Sequence, residues 1–130
     1  MKSLTFLLLV VVALLLADNS KTATNTTDKV VQVIWSKEDS KAYARDKLSE
    51  WQDDQWSCLN RLWGKESAWN PEAFNPIRVM GKNAGGIPQL LGLDPDTPAP
   101  RQIERGLDYI YYRYGTPCDA WQHWKRNGNY

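Results

Sequence analysis

Three stretches of this chain repeat apolar side chains every three or four residues, and that spacing dictates helices that must pack on one another. They are Ala44, Leu48 and Trp51, then Trp56, Leu59, Leu62 and Trp63, then Ile103, Leu107, Ile110 and Tyr114. At 3.6 residues per turn each set shares one face, and that face needs a partner. Ser36 and Asp39 have capping-box spacing and start the first helix near Ser36. Asp53 or Asp54 suits the start of the second helix. Asn70-Pro71 ends it, because the residue before a proline is pushed away from helical angles. Pro100 fits a first helical turn, Gly106 lets the third helix approach another closely, and Gly115 and Pro117 close it. A last short helix over Asp119–Lys125 carries Trp121 and Trp124. Asn75-Pro76 is a further break. The Gly- and Pro-rich segment from Met80 to Pro100 reads as loop, with one turn of helix at Gln89–Leu91. No period-2 strand is expected after residue 36. The expectation is a mainly α domain over residues 36–130, with long loops.

Residues 1–17 hold one Lys and an apolar run from Leu4 to Ala17 that only Thr5 interrupts. Spanning a bilayer takes ~20 apolar residues, so the run reads as a signal peptide, with an uncleaved anchor as the alternative. Secretion or a place in the cell envelope follows. Residues 18–35 read as a spacer: 18–28 lack any large apolar side chain, and 29–35 are apolar but too short to assign. Without residues 1–17 the chain has 15 basic and 15 acidic residues. That balance gives no reason to expect nucleic acid as a partner. In an exported chain two cysteines pair, so a Cys58–Cys118 disulfide is expected, the alternative being two buried thiols. Two Cys and one His show no metal-ligand spacing, and no metal or cofactor is expected.

Glu66 breaks the second stripe. It lies three residues after Trp63, four after Leu62 and seven after Leu59, on the face that should be apolar. Burial there, and the negative end of the helix dipole, both favour the protonated acid. A general acid needs that property. The alternative is an ordinary helix-end Glu, solvated or bonded to backbone.

"ESAWNPEAFNP" followed by "GGIPQLLG" resembles the soluble lytic transglycosylase (SLT) family of lysozyme-like domains. That family has a catalytic Glu followed by Ser, an aromatic residue, Asn-Pro and Ala, and then a Gly–hydrophobic–x–Gln element. Over about residues 41–130, "AYARDKL", "QWSCLNRLWGKESAW", "GIPQ" and "RYGTPCDAWQHW" are similar to its small secreted branch, Cys pair included. The branch commonly carries an aromatic where this chain has Gly85, and a Trp where it has Asn129.

The resemblance implies a lysozyme-like α fold, and cleavage of the β-1,4 bond between N-acetylmuramic acid and N-acetylglucosamine in peptidoglycan. It implies Glu66 as the acid and base. Ser67, Gly86 and Gln89 match residues around the acid and the sugar cleft, while Trp69 is a candidate sugar contact with core packing as the alternative. Glu72, Asp94, Asp96, Glu104, Asp108 and Asp119 are available as a second carboxylate, but none sits in a partner motif. That fits a one-carboxyl scheme, for which the resemblance implies 1,6-anhydromuramoyl products, with a lysozyme-type hydrolase as the alternative. A wall-binding or general sugar-binding module without activity is the other class. Trp63 reads as core, and His123 as a packing or capping residue. The expected partner is peptidoglycan glycan strands, with membrane contact only through the N-terminal segment, and a monomer is the expected state.

Overall fold

The computed structural model describes residues 34–52 and 54–130. The expected signal peptide, nearly all of the spacer and the candidate cap Asp53 lie outside the described residues. Four helices and a small sheet follow in order: α1 Lys37–Lys47, α2 Gln55–Ser67, β1 Phe74–Val79, β2 Lys82–Gly85, β3 Leu90–Leu91, α3 Ala99–Tyr114 and α4 Pro117–Asn127.

The helix starts follow their caps. The Ser36 hydroxyl accepts from the Asp39 amide while the Asp39 carboxylate accepts from the Ser36 amide, a complete capping box. Asp54 accepts from the Ser57 amide and opens α2. Thr116 accepts from the Asp119 amide and opens α4 two residues earlier than expected, with Pro117 in the first turn.

The helix ends differ from the sequence reading. α1 stops at Lys47, so Trp51 lies in the turn that follows. α2 stops at Ser67 rather than running to Asn70. Ala68 and Trp69 both turn left-handed, at φ 51° and 61°. The left-handed cap acts before the proline effect is reached.

The larger correction is the sheet. Met80–Pro100 is not simply loop: it holds β2 and β3, which join β1 before it in an antiparallel sheet of order β1, β2, β3, paired Val79 with Lys82 and Gly85 with Leu90. Met80 and Gly81, at φ 51° and 77°, make a two-residue turn whose twist suits a hairpin. The pattern hid this because Met is an unusual choice for a left-handed position and Pro76 looks like a breaker. Proline is tolerated in β1 because β1 is an edge strand. The expected helical turn at Gln89–Leu91 is instead the entry to β3. The fold is helix-dominated with a small sheet.

The core unites the three stripes. Ala44, Leu59, Leu62, Trp63, Ile87, Ile103, Ile110 and Ala120 are fully buried, and Trp35, Tyr43, Trp56, Trp121 and Trp124 pack round them. α2 packs against α4, α1 against α3. The Cys58–Cys118 disulfide joins α2 to α4 with a Cα separation of 4.9 Å. Gly106 is where α3 meets the Trp63 ring: a Cβ there would lie 2.6 Å from Trp63 Cζ2 and 2.7 Å from Pro88 Cβ. In the "YIYYRY" segment Ile110 is buried while Tyr111 and Tyr112 face outward.

Candidate active site

Glu66 sits in the last turn of α2, one residue before its end. The apolar stripe that buries Leu59, Leu62 and Trp63 brings its carboxyl group to the domain's edge, half-buried. Burial raises its pKa above the ordinary 4.5, and the nearby Trp124 indole opposes that rise in part. No second carboxylate contributes to the shift. Glu104 is instead engaged by Tyr43 Oη at 2.6 Å and Arg101 at 3.1 Å. Asp119 accepts from Thr116 at the start of α4. Glu72, Asp94, Asp96 and Asp108 are exposed.

Ser67 ties this turn to the Gly86–Gln89 loop. Its hydroxyl lies 2.7 Å from the Ile87 carbonyl and 3.3 Å from the Trp63 carbonyl. One proton serves these two acceptors, and the shorter contact is the stronger. Ser67 therefore holds the loop against the helix end that carries Glu66.

Gly86 is at φ +72°. A Cβ there would collide with Gln102 Oε1 and lie 2.7 Å from Leu93 Cδ2. Its lack of a side chain answers to the protein's own interior. Gly85 is buried too, and a Cβ there would lie 3.1 Å from the Leu93 carbonyl oxygen. Gln89 adopts φ +51° and spends its amide N–H groups on its own fold, donating to Gly86 O at 2.9 Å and Ala73 O at 3.1 Å. Its carbamoyl oxygen accepts no hydrogen bond among the described residues, so it is the atom left to meet a ligand donor.

Trp69 is corrected. It is 2% exposed, packs edge-on to Trp63 with ring centroids 5.3 Å apart, and donates its indole N–H to the Asn60 carbonyl at 3.3 Å. It offers no face to a sugar. Trp63 is core, as expected, and His123 packs beside Tyr114 with ring centroids 5.1 Å apart.

Two residues escaped the sequence reading. Tyr130, the last residue, returns to the site. Its hydroxyl accepts from Trp63 Nε1 at 2.9 Å and donates to the Pro88 carbonyl at 2.6 Å. Burial pushes its pKa well above the usual phenol value, and the Glu66 carboxylate pushes the same way. With Gln89, Leu90, Leu91 and Tyr109 it lines a hollow in the surface. Gln102 is 1% exposed, and its amide is fully used. It accepts from Ile87 N at 2.8 Å and donates to Thr97 O at 2.8 Å and Pro71 O at 3.0 Å. One side chain thus fastens the segment after α2, the Gly86–Gln89 loop and the approach to α3. A terminal aromatic and a Gln one position from the α3 stripe were the available signals, and neither is specific.

The arrangement is a half-buried acid with no carboxylate partner among the described residues, backed by a loop that three side chains pin in place. Such a group can hold a proton and deliver it to an oxygen at the surface. No protein-family model matches the chain, no curated protein matches it, and no solved structure matches it.

Proposed function

We propose that this protein is a peptidoglycan lytic transglycosylase built on a lysozyme-like helical domain, with Glu66 as its single acid and base. The observation that carries the reading is Glu66 itself: an acid on an apolar stripe, with its pKa raised by burial and no second carboxylate among the described residues acting on it. Canonical glycosidases flank the bond with two carboxyl groups. The resemblance of "ESAWNPEAFNP" and "GGIPQ" to the SLT family supplies the substrate class, a polymer of N-acetylmuramic acid and N-acetylglucosamine.

In this scheme the protonated Glu66 gives its proton to the glycosidic oxygen as the C1–O bond breaks. The carbonyl oxygen of the substrate's own acetamido group closes on C1 and carries the positive charge. The Glu66 carboxylate then takes the proton of the sugar's O6 hydroxyl. O6 forms the new bond to C1 as the acetamido oxygen leaves, giving a 1,6-anhydro end. Glu66 finishes protonated, ready for the next bond, and no water is consumed. The disulfide is consistent with a secreted or envelope location.

The test is to digest purified peptidoglycan and weigh the fragments. Anhydro ends that vanish with Glu66→Gln are expected. Reducing ends alone would mean a lysozyme-type hydrolase. Binding to the wall with no fragment released would mean a non-catalytic module.

A further inference from the structure

The β1–β2 hairpin carries an apolar surface that the proposed reaction does not use. Phe74 is 56% exposed, Ile77 69%, Val79 50% and Met80 92%. Met80 stands at the turn, five residues of strand from Gly85, or about 17 Å beyond the sheet's buried end. Between Glu72 and Asp94 the chain has two cations, Arg78 and Lys82, and no acidic residue. Lys82 lies opposite Val79 in the ladder, and Arg78 opposite Asn83. The two positive charges therefore flank the apolar tip.

The form of this surface limits what can cover it. An exposed edge strand invites another strand, but Pro76 removes a donor from the middle of β1. The Asn75 carbonyl is also already taken, by Asn83 Nδ2 at 2.9 Å. What remains available is side chains on a projecting tip, with a positive girdle. An anionic lipid surface fits this, because it accepts apolar side chains without backbone pairing and attracts the cations.

We propose that the hairpin tip, with Ile77, Val79 and Met80 inserted and Arg78 and Lys82 against the headgroups, docks the domain on an anionic phospholipid bilayer. This docking is independent of whether Glu66 cleaves glycan.

The experiment uses the full chain with its disulfide intact. A nitrobenzoxadiazole label is placed through Met80→Cys, and in a second protein through Tyr112→Cys, an exposed aromatic on α3. Vesicles are phosphatidylcholine alone or phosphatidylcholine mixed with phosphatidylglycerol. The label reads its own surroundings, so lipid contact by any other part of the chain does not mimic the result. The expected result is a blue shift and several-fold brightening of the position-80 label on phosphatidylglycerol vesicles only, with the position-112 label unchanged. Arg78→Gln with Lys82→Gln should raise the lipid concentration needed for half of the response about 30-fold, on the order expected for two surface cations. Three results would overturn the proposal. They are a position-80 label that stays as in buffer, one that responds equally to phosphatidylcholine alone, and one that responds to soluble glycan strands but not to vesicles.

Discussion

Replacing Gln102 by Leu should be among the most destabilising single changes in the domain. Leu is at least as bulky as Gln, so little cavity is created and the loss is mainly polar. Three hydrogen bonds disappear, to Ile87 N, Thr97 O and Pro71 O. Each is worth about 1 kcal/mol net. Ile87 is fully buried, so its stranded amide adds a desolvation cost of about 1–3 kcal/mol. Pro71 and Thr97 are only half-buried, and water can replace part of what they lose. The sum is about 3–5 kcal/mol, a large share of the ~5–15 kcal/mol that holds a domain together. At about 4–8 °C per kcal/mol for a domain of this size, the melting temperature should fall by at least about 12 °C. Thermal unfolding followed by circular dichroism, with the disulfide intact, measures it. The Ile87 amide should also lose its protection from hydrogen exchange. A melting temperature within a few degrees of the parent would refute the clamp.

Glu66→Gln should leave the fold intact and raise its stability at neutral pH. The folded pKa of Glu66 is raised, so the wild-type chain is favoured while the acid is protonated and loses stability as pH climbs through the folded pKa. The advantage of the Gln variant should therefore vanish below the unfolded carboxylate range, which denaturation at acid and neutral pH would show. Gly86→Ala forces Ala to φ +72° and its Cβ onto Leu93 and Gln102, so it should cost about 2–4 kcal/mol in the same assay. Reducing Cys58–Cys118, which spans a sequence separation of 60, should lower stability by roughly 4 kcal/mol in denaturant melts.

The helices were legible because their stripes and caps act locally. Leu59, Leu62 and Trp63 predict one face, and Ser36 with Asp39 predicts one end, without knowledge of anything distant. Glu66 was found as the residue that breaks such a stripe. The hairpin was not legible, since its turn uses a Met at positive φ, which no turn signal marks, and its edge strand contains a proline, which reads as a break. Gln102 and Tyr130 were missed for a different reason. Apart from Thr97, which is close to Gln102 in the chain, their partners lie 15 to 67 residues away in sequence, so little in their neighbourhood announces them. Trp69 stayed open in the sequence because an aromatic after a catalytic-type Glu also suggests a sugar platform. The left-handed turn at Ala68 instead swings it inward against Trp63 and Trp56.

The account stands on a Glu66 that keeps its proton to higher pH than a solvated glutamate does. Carbon-13 NMR titration of the side-chain carboxyls, with the Glu66 signal assigned by its loss in Glu66→Gln, measures this directly. The expected midpoint lies above the ordinary glutamate value, 4.5. A Glu66 midpoint at or below that value would contradict the central claim.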